Sequence, residues 1–119
     1  MSTAICVIST KAPYQGQSAR EALDAVLVSA SYGISTHLIL MGDGVYQLFA
    51  KQSPEHLPRK NISSLLKSLP LYGITSIYID AESLRERNII QTQLLSNHTL
   101  LSPADLQRLL QGTSKILSF

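Results

Sequence analysis

The sequence predicts an α/β protein, a three-layer α/β/α sandwich with a mainly parallel sheet of about five strands. Short apolar runs recur without polar alternation, at Ala4–Ile8, Leu38–Met41 and Ser76–Ile79, the pattern of strands covered on both faces. Segments between them place apolar residues three and four apart, the spacing of one helical face. The 119 residues contain no repeat, low-complexity tract or linker, so the whole chain, 1–119, reads as a single domain able to bury one core.

Each element has its own signal. Ala4-Ile5-Cys6-Val7-Ile8 is the first strand. Ala19, Ala22, Leu23, Val26, Leu27 and Ala30 then share a helical face, with Ser18 and Glu21 as a capping box and Gly33 as the stop. Leu38–Met41 is the second strand and runs into Gly42-Asp43-Gly44, with a right-handed crossover as the default. A short helix is expected over Val45–Ala50, and Lys51–Arg59, with Pro54 and Pro58, reads as a loop.

Asn61 is placed to cap a helix whose face is Ile62, Leu65, Leu66 and Leu69, ended by Pro70 and Gly73. The third strand, Ser76–Ile79, leads into a short helix from Glu82 to Arg87 that Asn88 terminates. Leu94 and Leu95 mark a short fourth strand. Ser102-Pro103-Ala104-Asp105 starts the last helix with a capping serine, proline at the first position and an acid in the first turn. Leu106, Leu109 and Leu110 face the core, Gly112 closes the helix, and Lys115–Phe119 forms the last strand.

Composition narrows the function. Ten basic and eight acidic side chains are spread thinly, with no basic run and no interleaved aromatics, so a stripe that neutralises nucleic-acid phosphates is absent and no direct nucleic-acid partner is expected. Only 15% of residues are charged, which favours burial of surface in an assembly. MSTAICVIST lacks the flank and cleavage site of a signal peptide, and its apolar core is strand-length, so no membrane association and a cytoplasmic location are expected. The lone cysteine, Cys6, suits a reducing compartment.

Several residues are candidates for chemistry. Gly42-Asp43-Gly44 follows a strand, so its amides could cradle an anion; it lacks the third glycine of a dinucleotide fingerprint and the Gly-Lys-Ser/Thr of a P-loop. Its plainer reading is a tight turn that presents Val45-Tyr46-Gln47-Leu48-Phe49 as a packing surface. Cys6 could be a persulfide carrier, but burial in mid-strand opposes thiolate formation and access, favouring a core role. His37, His56 and His98 share no ligand spacing with Cys6 or a carboxylate, so neither a metal nor a cofactor is expected. Asp80 and Glu82 could serve as acid and base, or as the carboxylates that a helix start favours. Arg85 and Arg87 belong either to a solvated face or to a partner contact.

Five blocks taken together go further. The strand ending near Ser9-Thr10, Ser18-Ala19-Arg20-Glu21-Ala22-Leu23-Asp24-Ala25, Gly42-Asp43-Gly44-Val45-Tyr46-Gln47-Leu48, Ser83-Leu84-Arg85-Glu86-Arg87-Asn88 and Lys115-Ile116-Leu117-Ser118-Phe119 resemble the TusC/DsrF family of sulfur-relay proteins over essentially the whole chain. The resemblance implies a DsrE-like fold and assembly with TusB-like and TusD-like subunits into a dimer of heterotrimers. Such a complex accepts persulfide sulfur from TusA and passes it through TusE toward 2-thiolation of the tRNA wobble uridine; the related DsrEFH complex handles sulfur in sulfur oxidation. In these complexes the TusD/DsrE subunit carries the relay cysteine at the strand end before its equivalent of Ser83-Leu84-Arg85. Here that position reads Ile79-Asp80-Ala81, without a thiol. The expectation is therefore a non-catalytic subunit with no catalytic residue of its own. Its candidate subunit interface is Asp43, Gly44, Val45, Tyr46, Leu48, Phe49, Arg85 and Arg87. A small phosphate- or nucleotide-binding protein is the rival reading of the glycine turn.

Overall fold

The computed structural model of the chain describes residues 4–13, 16–48, 62–74, 77–94 and 98–119. Five strands, β1 (Ala4–Ser9), β2 (Ser35–Leu40), β3 (Ile77–Asp80), β4 (His98–Leu101) and β5 (Lys115–Ser118), form one sheet in the order β4-β3-β2-β1-β5. Every neighbouring pair is parallel. Helices α1 (Ser18–Ser31), α2 (Ile62–Lys67), α3 (Ala81–Glu86) and α4 (Pro103–Gln111) lie between them. The steps β1→β2→β3→β4 all move one way across the sheet, so right-handed crossovers put α1 and α2 on the same face. The return from β4 to β5 puts α4 on the other. That is the expected α/β/α sandwich, with an entirely parallel sheet.

The two faces are unequally filled. Val7, Leu38, Leu40, Ile77 and Ile79 point from the sheet into a cluster with Ala22, Leu23 and Val26 of α1, Leu66 of α2, and Leu69 and Ile74 after it. Register explains the partition: Val7 lies opposite Leu38 and Ile8 opposite Ile39, so alternate residues go to opposite faces. On the second face Cys6, Ile39 and Leu101 are buried, but no residue of α4 is. Leu106, Leu109 and Leu110, expected to face the core, are only half-buried; among the described residues, α4 is the helix that the crossovers place over that face, against α1, α2 and α3 over the first.

Helix ends follow side-chain chemistry, with one correction. Ser18 does not make a capping box: it is the first residue of α1, the cap position is Gln17, and no side-chain cap bond forms. The Glu21 amide instead bonds the Gln17 carbonyl at 2.9 Å. At the other end Gly33 takes φ +76° and donates to the Ala30 carbonyl at 2.9 Å. The Ser102 hydroxyl caps α4 by accepting from the Asp105 amide at 3.2 Å, as the Ser-Pro start predicts.

The fourth strand also needs correction. It is His98–Leu101, paired with Ile77–Asp80; Leu94, expected in that strand, is a single bridge residue after the 3-10 turn at Gln91–Gln93 and packs into the core. An edge strand exposes half its residues, so pairing and not apolar content selects it. Val45 belongs to a 3-10 helix that already begins at Gly42 and runs to Leu48. Phe49, Ala50, Lys51–Arg59, His56, Asn61, Ser76 and Leu95 lie outside the described residues.

Candidate functional site

The carboxyl edge of a parallel sheet is where ligands and chemistry gather in this architecture. Here that edge is closed by two segments distant in sequence, the 3-10 helix Gly42–Leu48 and the start of α3. Gly44 lies so close to the end of β1 that a Cβ there would overlap the Ser9 carbonyl oxygen and stand 2.8 Å from its carbon; only glycine fits. Gln47 is fully buried, and its Nε2 donates to Ser9 Oγ at 2.7 Å and to the Lys11 carbonyl at 3.0 Å. The Met41 amide adds a bond to the Ser9 carbonyl at 3.1 Å.

The second half of the clamp comes from β3 and α3. Asp80 is the N-cap of α3: its Oδ2 accepts from the Ser83 amide at 3.2 Å and from Ser83 Oγ at 2.6 Å. Ser83 Oγ in turn accepts from the Gly42 amide at 2.9 Å. Arg87 Nε donates to Asp43 Oδ1 at 3.0 Å, and its Nη1 donates to the Ser83 carbonyl at 3.2 Å. The blocks Asp43–Leu48 and Ser83–Arg87, separate in sequence, are therefore one physical unit. The parts that motif reading missed are Ser9 and the reach of Ser83 and Gln47; a glutamine inside an apolar run was the available signal.

This geometry limits the chemistry. The Gly42 amide is used by Ser83 and the Gly44 amide by the Met41 carbonyl at 2.8 Å, so neither faces outward to cradle a phosphate. Glu82 is exposed and pairs with Arg85, Nε to Oε1 at 3.2 Å. That hydrogen bond and the guanidinium charge hold the Glu82 carboxyl below its ordinary range and Arg85 above its own. A general acid working near neutrality needs the opposite shift. With Asp80 committed to the helix cap, the two carboxyls do not form an acid/base pair.

Cys6 lies inside β1, opposite His37 on β2 and Ile116 on β5, away from the strand end at Ser9. Burial pushes its thiol up, partly offset by a hydrogen-bonding contact with the Thr113 side chain; a nucleophilic thiol needs a lowered value and access. His37 stands edge-on to Tyr78 with ring centroids 5.5 Å apart, and His98 Nε2 meets Gln91 Oε1 at 3.3 Å. No group of three or more His, Cys, Asp or Glu among the described residues could hold a metal ion, and no helix among them is long and apolar enough to cross a membrane.

The candidate interface residues divide by depth. Gly44, Val45 and Leu48 are buried within the chain, whereas Asp43 and Arg85 are exposed and Tyr46 and Arg87 half-buried. Of the strand-end trio, Ile79 and Asp80 are buried and Ala81 half-buried. Beside them opens a cavity of about 370 Å³ lined by Ala81, Leu84, Arg85, Ile89, Ile90, Gln91 and Leu100.

Comparison with known proteins agrees with this description. The model of the DsrE/DsrF-like family matches residues 3–119. A protein TusC homolog from Pseudomonas aeruginosa is 34% identical over 118 residues, covering 99% of both chains. A protein TusC homolog from Vibrio parahaemolyticus is 35% identical over 108 residues, 91% of this chain and 92% of its own. Among solved structures, the ychN protein from E. coli superposes with a TM-score of 0.84 at 21% identity, covering 100% of both chains. A protein of unknown function from Methanobacterium thermoautotrophicum does so with 0.66 at 15%, covering 98% of this chain and 99% of that one. At those identities the two structures speak to the fold.

Proposed function

The chain belongs to the DsrE/DsrF-like family, in its TusC/DsrF branch, and from that membership we propose that it is a non-catalytic structural subunit of a TusBCD-type sulfur-relay complex. The observation that carries the proposal is the strand end itself. Where the sister subunit of such a complex keeps its sulfur-bearing cysteine, this chain has Asp80, whose side chain is occupied in capping α3. Its one cysteine is buried in another strand, with a thiol that burial biases against ionisation.

In this reading the chain packs beside TusB-like and TusD-like subunits in a dimer of heterotrimers in the cytoplasm. The complex takes persulfide sulfur from a TusA-like donor and hands it to a TusE-like acceptor for 2-thiolation of the wobble uridine. The carboxyl edge of the sheet contributes a rigid wall. Gly44, Val45 and Leu48 set its backbone from within, and Asp43, Tyr46, Arg85 and Arg87 present side chains to the neighbour. Phe49 completes the same run of sequence.

Co-expression with TusB-like and TusD-like chains, followed by size-exclusion chromatography, tests the proposal. Co-elution of all three at a mass well above any one of them is expected. Elution of this chain alone at monomer size, or a deletion strain with normal tRNA 2-thiolation, would overturn it.

A further inference from the structure

We infer that the opposite, amino edge of the sheet carries a small-molecule site, a cleft between the starts of β2 and β3 whose ligand is an uncharged, planar heterocycle with N–H donors, the chemistry of a nucleobase. The cleft has a volume of about 380 Å³, at the small end of the range that ligand sites occupy. Its position follows from the ladder. Among the described residues β2 pairs with β1 at six positions but with β3 at two, Ile39–Tyr78 and Leu40–Ile79. Ser35, Thr36 and His37, ahead of those two pairs, line the cleft instead. Tyr72 and Gly73, at the end of the 3-10 turn Leu69–Tyr72, and Tyr78 of β3 line it with them. A Cβ on Gly73, or on Gly33 where α1 ends at the cleft, would meet nothing within 4 Å, so both rims stand open.

The lining selects its ligand by three properties. Rings come first: Tyr72, Tyr78 and His37 bring three aromatic side chains to one cleft, and His37 stands edge-on to Tyr78 with 71° between the planes. Aromatic faces take flat π systems, which is how proteins stack nucleobases. Hydrogen bonding comes second. The His37 ring nitrogens and the Tyr72 and Tyr78 hydroxyls have no hydrogen-bond partner among the described residues. A hydrocarbon in the cleft would strip water from them and return no bond.

Charge is third. No Asp, Glu, Lys or Arg occurs from Ala25 to Gly42 or from Ser68 to Ile79, the stretches that supply every lining residue, so a phosphate or carboxylate would enter without a counter-charge. The last turn of α1 holds no basic residue either, and the free carbonyls of a helix C-terminus repel an anion and accept from a donor. An ammonium suits those carbonyls but carries no acceptor for the imidazole and hydroxyl protons. A neutral heterocycle with N–H groups and ring nitrogens meets every condition. β2 spans about 20 Å at the rise of a strand, so this cleft and the clamp at Gly42–Leu48 lie at opposite edges and are read separately. The inference rests on this chain's own cleft and does not depend on the relay reading.

Amide resonances of the full chain, followed by NMR during titration with adenosine into the millimolar range, test it. Saturable shifts at Gly33, Thr36, His37, Tyr72 and Gly73, with Gly42–Leu48 unmoved, are the expected result. Adenosine monophosphate should bind more weakly than adenosine, and choline should not bind. Tyr72→Ala should weaken adenosine by about tenfold, and Tyr72→Phe, which keeps the ring, should recover most of that loss. The thermal melts of both variants should match the wild type, because Tyr72 is 50% exposed. Absence of saturable shifts at the cleft overturns the inference, as do shifts centred on Gly42–Leu48, tighter binding of the monophosphate, binding of choline, or a Tyr72→Ala protein that takes adenosine as the wild type does. Failure of the relay reading looks different: sister chains would not co-purify, and the titration would be unaffected.

Discussion

Replacing Gly44 by alanine tests the clamp at the strand end where it is tightest. The new methyl group would collide with the Ser9 carbonyl, a backbone group 2.8 Å away at its carbon, so relief requires the 3-10 helix or the end of β1 to move. Forcing a methyl into a packed site costs about 1–3 kcal/mol. The movement also stretches the Gln47 bonds to Ser9 and Lys11, 2.7 and 3.0 Å long, each worth about 1 kcal/mol. A total of roughly 3–5 kcal/mol follows, which for a chain of this size lowers the melting temperature by roughly 10–20 °C. Gly112→Ala is the control: its Cβ would meet nothing nearer than the Arg108 carbonyl oxygen at 3.6 Å, and its φ is −86°, so an effect within about 1 kcal/mol is expected. Thermal unfolding followed by circular dichroism reads both. A Gly44→Ala protein that melts like the control would refute the close approach and the rigid strand-end wall built on it.

Ser83→Ala removes the hydroxyl that links Asp80 to the Gly42 amide; a loss of about 1–3 kcal/mol in urea unfolding is expected, since the change leaves a part-buried amide without its acceptor. Folded protein should resist a thiol-specific reagent at Cys6 and react fully once denatured; rapid labelling of the native state would contradict its burial. Because the folded Cys6 thiol is raised, its contribution to stability is complete below the unfolded value near 9.0 and is lost as pH climbs toward the folded one. Cys6→Ala should therefore flatten the alkaline limb of a stability–pH curve. Glu82 runs the other way: lowered by Arg85, its contribution is present above the unfolded carboxylate value and lost as pH falls through the folded one. Glu82→Gln should make the acid limb shallower, by a small amount because the pair is exposed and screened.

How far the fold could be read in advance depended on where its information lies. β1, β2 and β3 were legible because buried parallel strands are continuously apolar. His98–Leu101 was not, because an edge strand is selected by its neighbour and Leu94 offered a stronger local signal. The leucines of α4 announced a helix correctly, but periodicity says which face is apolar and not how deeply it is covered. At the site, Asp80 as a cap was visible from residue types alone, whereas the lack of a thiol at the strand end carried meaning only through the family resemblance. The bonds that close the edge, Gln47 to Ser9 and Gly42 to Ser83, join residues 38 and 41 positions apart. Long-range hydrogen bonds of that kind leave no periodic or local trace, so the unity of the two motif blocks emerges only in three dimensions.

The most direct test of a non-catalytic role follows sulfur itself. The reconstituted three-chain complex would be charged with a persulfide donor and each intact chain weighed by mass spectrometry, with Cys6→Ser in parallel. An added sulfur on the TusD-like chain only, and undiminished transfer to the acceptor in the Cys6→Ser complex, is the expected result. A persulfide on Cys6, together with loss of transfer in its serine variant, would contradict the assignment of this chain as the relay's structural partner.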